Sequence, residues 1–303
     1  MRRILLFNKD SSYVFRGDKL KNCKKHNLKN IRQWNKITKE NWRMFHVKQF
    51  NYLKAYAKEN SIELTEDQIS KFDLYTNLLL EKNKVMNLTA ITEPKEVEIK
   101  HMVDSIVTVP LIIEKSLKIK ENCPCGRAPG ENTRYRIIDI GTGAGFPGIP
   151  LKIILPDANF LLADSLNKRV NFLEEAIEKL DLKEISAIAG RAEDLAKNGE
   201  PLREDFDFCV SRAVADMAVL AEYAIPFVKV GGYGIFYKAA DCKDEVLAAQ
   251  KAISEMGAEL EEIKEFELPE NAGKRAIVIV HKIKATPDKY PRRAGKPSKS
   301  PIK

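Results

Sequence analysis

The sequence predicts an α/β fold, a doubly wound and mostly parallel sheet with a C-terminal antiparallel hairpin, preceded by a small helical subdomain. Three observations carry this. Short apolar runs alternate with helical-period segments from residue 135 onward. A glycine-rich loop, Asp139-Ile140-Gly141-Thr142-Gly143-Ala144-Gly145, ends the first of those runs. Capped helical patterns fill the stretch before it.

The elements follow in order. Thr65-Glu66-Asp67-Gln68 fits a capping box, in which the Thr hydroxyl and the Gln side chain satisfy free amides at the helix start. Ile69, Phe72, Tyr75 and Leu79 then recur at helical spacing and predict one buried stripe. Pro94 sits where a first helical turn begins, and Val97, Met102, Val103 and Ile106 continue that helix. Residues 44–118 therefore read as the helical subdomain. Residues 119–134 are Pro/Gly/polar and read as a linker loop.

From there the pattern is strand and helix in alternation. Strands are expected at 136–140, 159–164, 184–189, 206–211 and 233–237, the last after a turn at Gly231-Gly232. Helices are expected at 147–155, 166–180, 217–227 and 244–256. Repeated βα units imply parallel pairing through right-handed crossovers. Two further strands, 260–268 and 274–282, flank Pro269-Glu270-Asn271-Ala272-Gly273 and read as a hairpin. Residues 135–284 form the expected ligand-binding domain and 285–303 a basic tail.

Composition bounds the function. The hydrophobic content of 44% allows a sizeable core. No apolar run approaches the roughly 20 residues of a membrane-spanning helix, so no membrane partner is expected. Residues 1–48 hold 14 Lys/Arg and 3 acids, and residues 282–303 hold 8 Lys/Arg and one acid; the body between has 29 basic and 39 acidic residues. Basic ends on an acidic body suit a polyanion such as nucleic acid, or are simply solvated tails. The five cysteines are scattered, and Cys123-Pro124-Cys125 is one residue too tight for a C-x-x-C site. A reducing cytoplasm and no metal are expected. Residues 1–43 are Arg-rich and acid-poor, which fits either a transit segment or an extension upstream of an initiator at Met44.

The glycine loop carries the chemistry. Glycines at 141, 143 and 145 let the backbone turn and approach a ligand, and the next helix directs free amides toward it. Gly143-Ala144-Gly145-Phe146-Pro147-Gly148 matches the dinucleotide pattern G-x-G-x-x-G, a weak signal alone. An acid two residues before G-x-G-x-G, here Asp139, suits S-adenosylmethionine, whose amino group it would accept directly or through water. Three features favour that cofactor over NAD: the helical preamble, the terminal hairpin, and the acidic Arg191-Ala192-Glu193-Asp194 after the third strand. Asp164, about 20 residues beyond the loop at a strand end, could grip a ribose diol.

Several segments together resemble one family. These are Asp139 to Gly148, Asp164-Ser165-Leu166-Asn167-Lys168-Arg169, Arg191-Ala192-Glu193 and Ser211-Arg212-Ala213-Val214-Ala215. Asn87 to Ile91, His101-Met102-Val103-Asp104-Ser105 and Lys284 to Arg293 add to them. The chain resembles RsmG, the bacterial 16S ribosomal RNA guanine-N7 methyltransferase family also called glucose-inhibited division protein B. The resemblance runs from about residue 45 to the C-terminus and implies a class I, Rossmann-like methyltransferase fold.

It further implies that Gly141 and Phe146 line the cofactor, that Asp164, Ser165 and Leu166 take its ribose side, that Ala192 and Glu193 take its adenine side, and that Arg212 also contacts it. The partner implied is 16S ribosomal RNA or the 30S subunit, with the protein acting as a monomer. N7 of guanine has a free lone pair and no proton, so no catalytic acid or base is expected. For the RNA, Lys289, Arg292, Arg293, Lys296 and Lys299 alternate with Pro291, Gly295 and Pro297 and read as an extended basic strip, to which Lys168 and Arg169 could add. Two other readings stay open: a methyltransferase for another RNA or a small molecule, and a non-catalytic ribosome-assembly factor.

Overall fold

The computed structural model describes residues 4–8, 11–15, 50–121 and 135–303. Residues 1–49 and 50–303 are two separate units. In the first, strands β1 (Ile4–Asn8) and β2 (Ser11–Phe15) pair antiparallel. The rest of that unit, and the 122–134 part of the expected linker with Cys123 and Cys125, lie outside the described residues.

Helices α1 (Asn51–Glu59) and α2 (Glu66–Met86) open the second unit. The capping box is present: Gln68 N donates to Thr65 Oγ1 at 3.2 Å, and Thr65 N donates to Gln68 Oε1 at 2.9 Å. The helix expected from Pro94 is more irregular than the sequence suggested. Its first turn, α3 (Pro94–Val97), widens into a π-helical turn over Glu98–Val103 and closes as α4 (Asp104–Ile106). Val97, Met102, Val103 and Ile106 are all buried along it, so the apolar stripe survives the widening. Glu98 caps α1 from a distance, its Oε1 accepting the amides of Tyr52 and Leu53 at 2.7 and 3.0 Å. Helix α5 (Val109–Glu121) follows and runs past the boundary expected at 118.

Among the described residues, the main sheet runs edge to edge through Ile185–Ala189, Asn159–Asp164, Arg136–Ile140, Phe206–Arg212, Val228–Ala239, Lys274–Lys282 and Ala258–Glu267. Strands β3 (Arg136–Ile140), β4 (Asn159–Asp164), β5 (Ile185–Ala189), β6 (Phe206–Arg212) and β7 (Val228–Ala239) are parallel. Strands β8 (Ala258–Glu267) and β9 (Lys274–Lys282) form the hairpin, with β9 antiparallel to β7. Gly231-Gly232 is not a turn ahead of a strand. Strand β7 begins at Val228, and the register shift against β6 falls between Phe206↔Val228 and Phe208↔Tyr233, so the glycines lie in a bulge. The expected helix at 244–256 is likewise two, Lys243–Ala248 and Gln250–Glu255.

Alternating side chains of each strand feed two core layers. Ile137, Phe208 and Ile235 pack with Leu53, Phe72, Tyr75 and Ile106 on one face. Ile138, Cys209 and Phe236 pack with Met217, Leu220 and Ile253 on the other. The helical segment therefore shares its core with the sheet, and residues 50–303 form one compact unit.

The tail differs from the extended strip expected from its sequence. Pro291 and Pro297 are buried, Lys296–Lys299 is a short helix, and Arg292 turns inward. Its Nε donates to Glu222 Oε1 at 2.9 Å and its Nη2 to Glu222 Oε2 at 2.6 Å, while Glu222 has no exposed surface. The Arg292 guanidinium is thus committed to Glu222, because that buried carboxylate without it would carry an uncompensated charge. Lys289, Arg293, Lys296 and Lys299 remain exposed, with Lys289 beside Glu255 at 3.5 Å. Replacement of Arg292 by Ala is expected to lower unfolding free energy in urea by about 3 kcal/mol or more. The double variant Arg292→Met, Glu222→Leu should recover most of that loss.

Candidate cofactor cleft

The glycine loop is held from two sides by carboxylates that the sheet positions. Asp139, one residue before the end of β3, has no exposed surface; its Oδ2 accepts the Thr142 hydroxyl at 2.6 Å and the Gly148 amide at 2.8 Å. Asp164 ends β4, and its Oδ2 accepts the Gly143 amide at 3.0 Å while its Oδ1 accepts the Leu166 amide at 3.0 Å. The loop's own amides at Gly141 and Thr142 donate back to Ala163 O. Helix α6 (Gly148–Ile154) leaves the loop, and α7 (Asn167–Lys179) leaves β4.

Between these ends lies a cleft of about 430 Å³. It sits at the carboxyl edge of the sheet, where the strand order reverses between β3 and β6, the usual ligand site of this architecture. Gly141, Asp164, Ser165, Ala192 and Glu193, all expected on the cofactor, line it together with Ile140, Ala163, Gly190 and Arg191. Arg169, read as a possible RNA contact, lines it as well: its Nη1 donates to Asp164 Oδ2 at 3.1 Å. Lys168 beside it is exposed.

Other expected cofactor residues shape the site without lining this cleft. Asp139 lies beneath the loop, Gly143 and Gly145 form its turns, and Leu166 serves through its amide. Phe146 is buried, stacked on His101 at 4.4 Å between ring centroids. Arg212 lies over the Phe146 ring and is engaged by Asp104 Oδ2 at 2.9 Å, Lys100 O at 3.2 Å and His101 Nδ1 at 3.2 Å. The widened helical turn and α4 place His101 and Asp104 on this guanidinium, a pairing that no sequence spacing announced.

Further lining residues escaped the sequence reading as site residues, among them Ala213, Val214, Tyr223 and Ser298. Ala213 and Val214 stood inside a quoted motif without a role. Tyr223 carried no signal, and Ser298 lay in a tail read only for its charges.

Burial governs the titration of the cluster. It pushes Asp139 up to about 7 despite the Thr142 and Gly148 hydrogen bonds, and Asp139 Oδ1 has no hydrogen-bond partner among the described residues. It raises Asp104, which the Arg212 and Arg275 guanidiniums pull back down. His101 falls from 6.5 to about 3, first through burial and then through the Arg212 charge, so it is neutral at pH 7.

The sequence model of GidB, described as rRNA small subunit methyltransferase G, matches residues 68–277. The chain belongs to that family. A Desulforamulus reducens protein named Ribosomal RNA small subunit methyltransferase G is 49% identical over 250 residues, covering 82% of this chain and 97% of the relative. Proteins of the same name from Desulfitobacterium hafniense and Lachnoclostridium phytofermentans are 45% and 47% identical, each covering 80% of this chain and 92% of the relative.

Two predictions follow from the geometry. An added Cβ at Gly145 (φ 102°) would meet Ile149 Cδ1 at 2.6 Å and the Tyr75 hydroxyl at 2.8 Å, whereas at Gly143 (φ 63°) it would find only Gly141 O at 4.0 Å. Gly145→Ala should therefore cost about 3 kcal/mol in thermal unfolding and Gly143→Ala about 1 kcal/mol, the left-handed penalty alone. The second concerns pH. The unfolded chain binds a proton at His101 below 6.5 and the folded chain does so only near 3. Stability should thus fall as pH drops from 6.5, by about 1.4 kcal/mol per unit for this group. Urea unfolding of wild type and His101→Phe at pH 7 and pH 5 should show the wild type losing more.

Proposed function

We propose that this protein is an S-adenosylmethionine-dependent methyltransferase that methylates N7 of a guanine in 16S ribosomal RNA. The observation that carries the reading is the cleft at the sheet's reversal point, framed by the glycine loop, Asp164 and Glu193, in a chain of the rRNA small subunit methyltransferase G family.

The residues present fit the cofactor. Asp164 has used its two oxygens for two amides and one guanidinium, and a carboxylate has about four acceptor positions, so it can still accept from a ribose hydroxyl. Asp139 Oδ1 is a buried acceptor with no partner among the described residues, suited to an amino group or to a bridging water. The lining charges balance, Asp164 and Glu193 against Arg169 and Arg191, so the two carboxylates serve as hydrogen-bond acceptors rather than as a net negative field.

When bound, the cofactor supplies an electrophilic methyl group on a sulfonium. The protein's part is then placement. Guanine N7 presents a lone pair with no proton to remove, so no side chain needs to act as a base, and rate comes from alignment. Asp139 and Asp164 fix the loop, and the buried Arg212 network fixes the wall beside Phe146. The exposed cations Lys168, Lys289, Arg293, Lys296 and Lys299 are suited to phosphate contacts, which position RNA without reading its sequence. The substrate form, free 16S RNA or the 30S subunit, and action as a monomer are parts of the same proposal.

Methyl transfer onto unmodified 30S subunits and onto free 16S RNA, followed by mapping of the modified base, tests it. One 7-methylguanosine in 16S RNA is the expected result; label in another RNA, or at another atom of the base, would overturn the assignment. In the same assay, changing Arg293, Lys296 and Lys299 to Ala should flatten the salt dependence of RNA binding by about one unit of slope per lost phosphate contact.

A further inference from the structure

Residues 285–303 follow the last strand, yet they return to the cleft. Three sets of contacts bring them there. Arg203 donates to Thr286 O at 2.6 Å, Tyr290 O at 2.7 Å and Ala196 O at 3.0 Å, which fastens the segment beside helix α8 (Ala192–Leu195). Arg292 then locks onto Glu222 of helix α9 (Met217–Ala224). Finally the Gly295 amide donates to Glu193 Oε1 at 2.8 Å. At Gly295 the chain turns through a left-handed conformation (φ 79°), and Ser298 arrives at the cleft wall. Tyr223 stands next to Glu222 on α9, so the helix that anchors Arg292 also presents a phenol to the cleft, beside Ser298 and Glu193 on the same lining.

From this arrangement we infer that Tyr223, Gly295 and Ser298 form a wall of the nucleoside end of the cleft, making the C-terminal segment a built part of the cofactor site. The inference rests on the cofactor reading above. Its chemistry suits a purine nucleoside: an aromatic ring with a polar edge, a serine hydroxyl, and a carboxylate held at its angle by a backbone amide. Glu193 does not stand alone on this wall. The tail fixes one of its oxygens, so less freedom is lost when a ligand donates to the carboxylate. The tail cations thus sit on the same short segment as two wall residues, with the exposed Lys296 and Lys299 flanking Ser298 in sequence.

The test uses full-length protein. Calorimetric titration with S-adenosylmethionine and with free adenosine is compared for wild type, Ser298→Asp and Tyr223→Ala, with melting temperatures measured in parallel. Ser298 is exposed and outside the core, so its variant carries the test even where Tyr223→Ala loses stability. Ser298→Asp is expected to weaken both ligands about ten-fold, because it sets a second carboxylate against Glu193. Tyr223→Ala should weaken them by a similar factor. Affinities within about two-fold of wild type for both ligands in both variants would overturn the inference. A wild-type protein that binds neither ligand would instead overturn the cofactor reading, a result distinct from equal binding by wild type and variants.

Discussion

The bond from the Gly148 amide to Asp139 Oδ2 joins the first strand of the parallel sheet to the first helix after it, and the cleft depends on that joint. Among the described residues, no cation pairs with the Asp139 carboxylate. It is fully buried, shares Oδ2 between an amide and the Thr142 hydroxyl, and leaves Oδ1 open. Such a group is costly to bury, which is why its proton affinity rises to about 7. What it provides is shape: a loop that would otherwise sample many turns is tied at both ends to one side chain.

Asp164 completes the restraint from the neighbouring strand, and the helices before the sheet complete it from the far side. The Tyr75 hydroxyl donates to Ala144 O at 2.6 Å, within the loop itself. Gln68, having capped its own helix, donates its side-chain amide to Ile153 O at 2.9 Å, at the far end of α6. The helical segment is therefore an outer support of the cofactor loop rather than an appended module, and its buried stripe belongs to the same core as the sheet.

The tail and the Arg212 cluster show a common pattern. In each, a residue that reads as a free surface or ligand group is held by an acid far away in sequence: Arg292 by Glu222, and Arg212 by Asp104. Arginine suits such places because its planar fork can satisfy a carboxylate bidentately and still stack on an aromatic face, as Arg212 does on Phe146. Charge counting cannot separate these arginines from exposed ones like Arg293.

The capping box at Thr65, the strands at 136–140, 159–164 and 274–282, and the loop with Asp139 and Asp164 were all legible in the sequence. Each rests on local rules: hydrogen bonds between residues three apart, side chains alternating with period two, glycine at left-handed positions. Gly141, Asp164, Ser165, Ala192 and Glu193 meet in one cleft because consecutive parallel strands must end at the same edge. The remaining features needed the tertiary structure. The π-helical turn that aims His101 and Asp104 at Arg212, the bulge at Gly231-Gly232, the inward turn of Arg292, and the approach of Tyr223 and Ser298 to Glu193 depend on pairings across tens to more than a hundred residues. Those pairings are settled by which surfaces are buried together, and no period in the chain records that.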